Sequence, residues 1–367
     1  MSDSGLPARV AWAEGLPLNL PPSLLRLLQT PILAAEQAAA AREAAQELRL
    51  SAAFTKRPPA SARLPFSYQT VPGLLRRLLG YAIGRLQRAR QHAWARYPGW
   101  PLDLSADLAA DLAGVPSVTF DRTPVLLTHD IDSPEGLRNL RDLFLPIEES
   151  AGAFSANYVV PCAWPVDEAL LSEVAARGHE IGVHGYDHAN RTPFLPDTPR
   201  RARVAAGHAF AQKHGAVGYR APSLLRTAAL IDDLRTFYRY DSSIPTSGGA
   251  FPVPNNGCAS ARPWRFGTLW ELPLSMPRDG SLRFLGHTPQ EIGALWRNVA
   301  VRIAGSGGVV CLLTHCEAGF SGNPAMLRQY RDFVEWTASQ ARFEFIRPAD
   351  LVDRLARADR ADDSSSP

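Results

Sequence analysis

The run Leu126-Leu-Thr-His-Asp-Ile-Asp-Ser133 decides how this chain is read, because an apolar strand here ends in two carboxylates separated by one residue. Alternate side chains of an extended chain face the same way, so Asp130 and Asp132 project together while His129 points to the opposite side, into packing. Two carboxylates on one side repel unless a cation or a proton lies between them. Taken alone, Asp-x-Asp after a strand suits a helix cap, an aspartyl phosphatase or a sugar-nucleotide transferase as well as a metal hydrolase.

Outward from this stretch, short apolar runs recur at Val125-Leu-Leu127, 154–160, 180–183, 216–219, 269–274, 309–313 and 343–346. Between them lie helical patterns at 166–177, 199–214, 228–237, 288–304 and 324–339. This alternation predicts α/β architecture with parallel strands and crossover helices, either a (β/α) barrel or a doubly wound sheet, and about seven strands favour a barrel-like closure. The barrel is expected over 118–355. It follows an N-terminal, mostly helical extension over 1–117 with helices at 31–50 and 71–97, and precedes a charged, serine-rich tail over 356–367 expected to be disordered. In the second of those helices Leu74, Leu75, Leu78, Ile83 and Leu86 share a face that is expected to pack on the core, with arginines outside.

Composition narrows the function. The 367 residues carry 39 basic and 36 acidic side chains, a net charge of +3 that gives no reason to expect nucleic acid or an acidic membrane as partner. Only Lys56 and Lys213 are lysines, and neither stands in a P-loop or Schiff-base context. The four cysteines show no CxxC spacing, and the chain opens without a signal-peptide pattern or a bilayer-spanning run. A reduced, cytoplasmic protein without a transmembrane segment is the expectation; oligomeric state has no sequence signature.

The polar residues that remain fall at the carboxyl ends of the expected strands, the functional rim of such folds. In His179-Glu-Ile-Gly-Val-His-Gly-Tyr-Asp-His188 the pair His184 and His188 has the spacing of two metal ligands on one helical turn. The HExxH motif is absent, since Val183 stands where its second histidine belongs, and His179 reads as a surface or helix-end residue. Asp132, His184 and His188 around one divalent ion leave open positions for water and substrate, as at catalytic metal sites. Asp130 is then placed as general base, Arg220 of Gly218-Tyr-Arg-Ala-Pro222 as its bidentate partner, and His315 of Leu312-Leu-Thr-His-Cys316 as general acid. Zinc, cobalt, nickel and iron all suit such ligands.

Taken in order, Thr128-His-Asp-Ile-Asp132, His184 to His188, Arg220-Ala-Pro222, Trp270-Glu-Leu-Pro273 and Leu313-Thr-His315 resemble the motifs of the polysaccharide deacetylases with a NodB homology domain, carbohydrate esterase family 4. The resemblance covers about 118–350. It implies a distorted (β/α) barrel, a metal, usually zinc, and hydrolysis of an acetamide on an N-acetylated sugar, with Leu313 lining the acyl pocket and Trp270 walling the groove. Tyr219 and Glu271, beside these motif residues, are counted as further substrate contacts. The Asp-x-Asp spacing, in place of adjacent aspartates, resembles intracellular members acting on small amides or imides. Gly185 stands where the family usually has Ser or Thr, and Glu271 is no clear match for an aspartate partner of His315. A non-catalytic carbohydrate-binding protein on the same fold is the alternative these departures allow.

Overall fold

The alternating runs do build a curled parallel sheet wrapped by helices. The computed structural model describes residues 8–13, 20, 24, 26, 29, 34–51, 53–64, 71–91, 102–248 and 257–365. The strands are β1 (Thr123–Ile131), β2 (Ala156–Val159), β3 (Glu180–Val183), β4 (Gly218–Tyr219), β5 (Tyr240–Asp241), β6 (Trp264–Phe266), β7 (Leu269–Glu271), β8 (Val310–His315) and β9 (Phe343–Phe345). Their order is β6-β7-β5-β4-β3-β2-β1-β8, with β9 beside the start of β1, and only the β6–β7 pair is antiparallel. The sheet curls until the chain after β7 meets β8, where Met276 N donates to Cys311 O at 3.2 Å and the Ser275 hydroxyl donates to Val309 O at 2.6 Å. This is a distorted (β/α) barrel of nine strands rather than seven; the two unforeseen ones, β5 and β6, are too short to carry a periodicity.

The helices are α1 (Ala35–Ser51), α2 (Gly73–Ala89), α3 (Ser105–Leu112), α4 (Glu168–Ala176), α5 (Asp197–His214), α6 (Ala228–Leu234), α7 (Asp279–Phe284), α8 (Pro289–Gly305), α9 (Pro324–Ala338) and α10 (Pro348–Ser365). After β1 the chain also runs helically through 134–150, with a π turn at Leu140–Phe144. Side-chain caps set several starts: Ser133 accepts from Gly136 N, Asp167 from Leu170 N, and Thr288 with Glu291 closes a reciprocal capping box ahead of α8.

Strand alternation divides the core. Val125, Leu127 and Ile131 face the helical layer, whereas Leu126 points into the barrel with Tyr158, Tyr240, Trp270, Cys311 and Leu313. Leu351, Val352 and Leu355 of α10 join that interior cluster and plug the barrel at the amino ends of the strands. The expected disordered tail is therefore corrected: the buried stripe of α10 anchors the helix, Arg265 Nη1 binds Asp359 at 2.7 Å, and helix continues to Ser365.

The N-terminal extension is welded to the barrel. Asp107 of α3 accepts from the Ser260 hydroxyl at 2.5 Å and from Ala261 N at 2.9 Å, and Arg262 clasps Asp111 at 2.6 and 2.8 Å. α1 lays Ala41 and Ala45 against Leu108, Ala109 and Leu112 of α3. A second expectation fails here: Leu74, Leu78 and their neighbours on α2 are exposed, and the helix docks through a different face.

Glu180 opens β3 at the barrel floor, accepting from Tyr240 Oη at 2.6 Å and Ala349 N at 3.0 Å. Burial raises its pKa from the ordinary 4.5 to about 7 against these bonds. A raised folded-state pKa means that its contribution to stability is full below about 4.5 and is lost as pH climbs through about 7, on the order of 3 kcal/mol. Glu180→Gln cannot ionise, so the stability of the variant relative to wild type is expected to improve between about pH 5 and about pH 8, measured by denaturant titration.

Candidate metal and catalytic site

Parallel pairing of β1 with β8 sets Asp130 directly opposite His315, both at the carboxyl ends of their strands and both on the interior side. His129, between the two aspartates, turns outward as expected, its ring held by Thr314 Oγ1 and Glu148 Oε1, each at 2.8 Å. His179 is corrected from a surface to a buried residue: its Nδ1 accepts from Ser155 N at 3.0 Å, and Glu148 lies 3.5 Å away.

His184 follows β3 and His188 lies in the loop beyond, so the pair does not share a helical turn. The chain bends back through Gly185 at φ 68° and His188 at φ 55°. A Cβ on Gly185 would lie 2.4 Å from Pro222 Cδ, so the left-handed turn and the tight approach both demand glycine where the resemblance led to Ser or Thr. The extension buttresses this loop, for Asn190 Nδ2 donates to Ser61 Oγ at 3.1 Å.

Asp132 Oδ1 lies 3.5 Å from His184 Nε2, and Asp132 Oδ2 lies 3.4 Å from His188 Nε2. All three ligand atoms fall within 4.8 Å of one another. Two ligands ~2.1 Å from a tetrahedral ion stand ~3.4 Å apart, close to the separation of each histidine from the nearer Asp132 oxygen. His184 Nδ1 is 3.0 Å from the Arg220 carbonyl, a pure acceptor, so its proton sits on Nδ1 and the Nε2 lone pair is free. Burial lowers the His184 pKa and favours that neutral, ligating form even though Asp130 and Asp132 pull the other way. Asp132 Oδ1 is buried without a hydrogen-bond donor. A divalent cation therefore fits Asp132, His184 and His188, and it would satisfy that orphaned oxygen.

Asp130 has a different environment. The fully buried Arg220 donates from Nη1 to Asp130 Oδ1 at 2.9 Å and to Thr128 Oγ1 at 3.0 Å, from Nε to Ser242 O and from Nη2 to Ser242 Oγ, both at 3.0 Å. The Asp130 contact is thus single, not bidentate, because the second edge of the guanidinium is taken by Ser242. Burial would raise the Asp130 pKa, but the charges of Arg220 and His315, with the Arg220 hydrogen bond, hold it below the ordinary carboxylate range. Asp130 is held ionised, as a base must be.

The partner of His315 is Asp279, at the start of α7, which the sequence reading did not find. Asp279 Oδ1 lies 2.8 Å from His315 Nδ1, while Oδ2 accepts from His315 N at 2.9 Å and the Ser321 hydroxyl at 2.7 Å. Burial works against the imidazolium, yet Asp279, with Asp132 and Asp130 behind it, lifts the His315 pKa to about 10. Glu317 is a second unforeseen residue, accepting from Asp132 N at 3.1 Å and Ser133 Oγ at 2.8 Å, so it fixes the turn that aims Asp132.

Leu313 lies in the barrel interior below His315, and Trp270 is there too. The other two proposed substrate contacts are not at the mouth. Tyr219 packs outward among Val183, Leu230 and Tyr238. Glu271 is fully buried and accepts from Ile244 N at 2.9 Å, and burial with the neighbouring Asp241 raises its pKa well above the ordinary range. Both residues face away from the interior because they are odd members of strands whose even members, Arg220 and Trp270, face inward.

No family model matches the sequence, and no curated protein matches it. Among solved structures the chain is similar to proteins assigned as polysaccharide deacetylases from Mycobacterium smegmatis (TM-score 0.52, 20% identity, 67% of this chain and 94% of that one) and Pseudomonas aeruginosa PAO1 (TM-score 0.50, 12% identity, 64% and 91%). It is also similar to Puue allantoinase (TM-score 0.51, 12% identity, 65% and 94%). The chain has the fold of these polysaccharide deacetylases.

Asp279→Asn keeps an acceptor for His315 Nδ1 but removes the charge that raises its pKa. The His315 titration, followed by NMR of the ring, is expected to move down by more than about one unit, and an unchanged titration would take Asp279 out of this role.

Proposed function

We propose that the chain is a metal-dependent hydrolase that removes an N-acyl group, N-acetyl in the first instance, from an amino sugar, such as a precursor in surface-polysaccharide synthesis. The observation that carries this reading is the division of the barrel mouth into three differently prepared groups. Asp132, His184 and His188 would hold the metal, Asp130 is kept ionised by Arg220, and His315 is kept protonated by Asp279. Bound there, a divalent metal would supply Lewis-acid polarisation of the acyl carbonyl and acidify a water. Asp130 takes the proton of the attacking water, Arg220 holds that carboxylate in place, and His315 gives a proton to the departing amine nitrogen. Leu313 lies beneath these groups, where the acyl methyl would enter.

A second reading, hydrolysis of a small amide or imide by the same residues, is favoured by the Asp130-Ile-Asp132 spacing. The likeness to an allantoinase supports it no further than fold. A carbohydrate-binding protein without turnover is the outcome if no metal is held.

Elemental analysis of the purified chain is expected to find about one transition metal per chain, absent from the His184→Ala, His188→Ala double variant. Asp130→Asn should keep that metal and lose about a hundredfold or more in acid release from N-acetyl amino sugars, formamides or imides. Full activity in Asp130→Asn would remove it from the base role, and absence of metal after zinc or cobalt addition would overturn the hydrolase reading.

A further inference from the structure

Helix α2 docks with its small face inward and its apolar face outward. Gly80 and Gly84 let it approach α7 so closely that a Cβ on Gly84 would lie 1.8 Å from Phe284 O and one on Gly80 would lie 2.8 Å from the Phe284 ring. Tyr81 packs edge-on against Phe284 at 5.1 Å, and Arg88 Nη1 donates to Leu285 O at 3.1 Å. The opposite half of the helix carries Leu74, Leu75, Leu78, Leu79, Ile83 and Leu86, each between 45% and 65% exposed. At ~100° per residue these six span an arc of about 180°, with Arg85 and Arg90 just inside its two edges and Arg76 just beyond Ile83.

Charge is segregated in the same region. Residues 48–102 contain ten basic side chains and no Asp or Glu, so the near-neutral total of the chain conceals a purely cationic segment. An exposed apolar arc with arginine borders and no acids is the pattern of a helix lying in the headgroup boundary of an anionic bilayer. It fits a self-paired helix poorly, since an isologous contact would bring the arginines of two copies together with no carboxylate on α2 to neutralise them.

We propose that α2 binds the surface of an anionic lipid bilayer, with its six apolar side chains at the headgroup boundary and its arginines on lipid phosphates. The helix is joined to the barrel mouth through Phe284. Phe284 also packs against Phe320 at 5.9 Å, and Phe320 stacks on His315 at 4.8 Å, so the lipid-bound helix would hold the His315 side of the mouth at the membrane. No helix of the described residues is long and apolar enough to cross a bilayer, so the attachment is peripheral.

The full chain should co-sediment with mixed phosphatidylcholine and phosphatidylglycerol vesicles about tenfold or more tighter than with pure phosphatidylcholine, and added salt should weaken the binding. Leu78→Glu with Ile83→Glu should lose about tenfold or more of that affinity, with thermal unfolding unchanged because both positions are exposed. Replacing Arg76, Arg85 and Arg90 by Gln should remove the preference for phosphatidylglycerol. Three results would each overturn the proposal: no vesicle binding by wild type, wild-type binding by the Leu78→Glu, Ile83→Glu variant, or a dimer that this variant converts to monomer.

Discussion

Arg220 is a fully buried guanidinium, and the mouth of the barrel is built to satisfy it. Its donors reach β1 through Thr128 and Asp130 and the segment after β5 through Ser242, while its plane lies over the Tyr158 ring of β2 at 4.0 Å. A buried charge left unpaired costs about 3–5 kcal/mol, so the strands that supply these partners must hold their register. Asp130 Oδ1 is consequently committed to Arg220, whereas Asp132 Oδ1 has no donor. The two carboxylates, given different roles from the sequence, are set apart in the structure by one buried cation, which pairs with Asp130.

The same logic repeats at the opposite wall. Asp279 gives one oxygen to the His315 ring and the other to its backbone nitrogen, so it orients the imidazole and charges it together. Glu317 anchors the backbone of Asp132 and leaves Asp132 Oδ1 without a donor. Asp130, Asp132, His184 and His315 are thus each held by a partner distant in sequence.

The N-terminal extension contributes to this mouth from outside. Its Ser61 steadies the loop of His188, and α2 reaches His315 through Phe284 and Phe320. Its charge was invisible in the total, because averaging over the chain cancels a segregated cationic segment against acids that lie elsewhere.

The sequence by itself determined what is local. Apolar runs long enough to alternate revealed β1, β3 and β8, and alternation also put Asp130 and Asp132 on one side with His129 on the other. His184, His188, Arg220 and His315 were legible because polar residues at strand ends are few. Tertiary structure decided what depends on neighbours distant in sequence. Asp279 and Glu317 are ordinary acids until β8 and α7 bring them to His315 and Asp132, and Tyr219 and Glu271 turn outward on strands of two and three residues, too short for their sequence to show which way a side chain faces. Periodicity likewise gave α2 an apolar face but not its direction. That was set by Gly80 and Gly84, since only the side of the helix lacking a Cβ could approach Phe284.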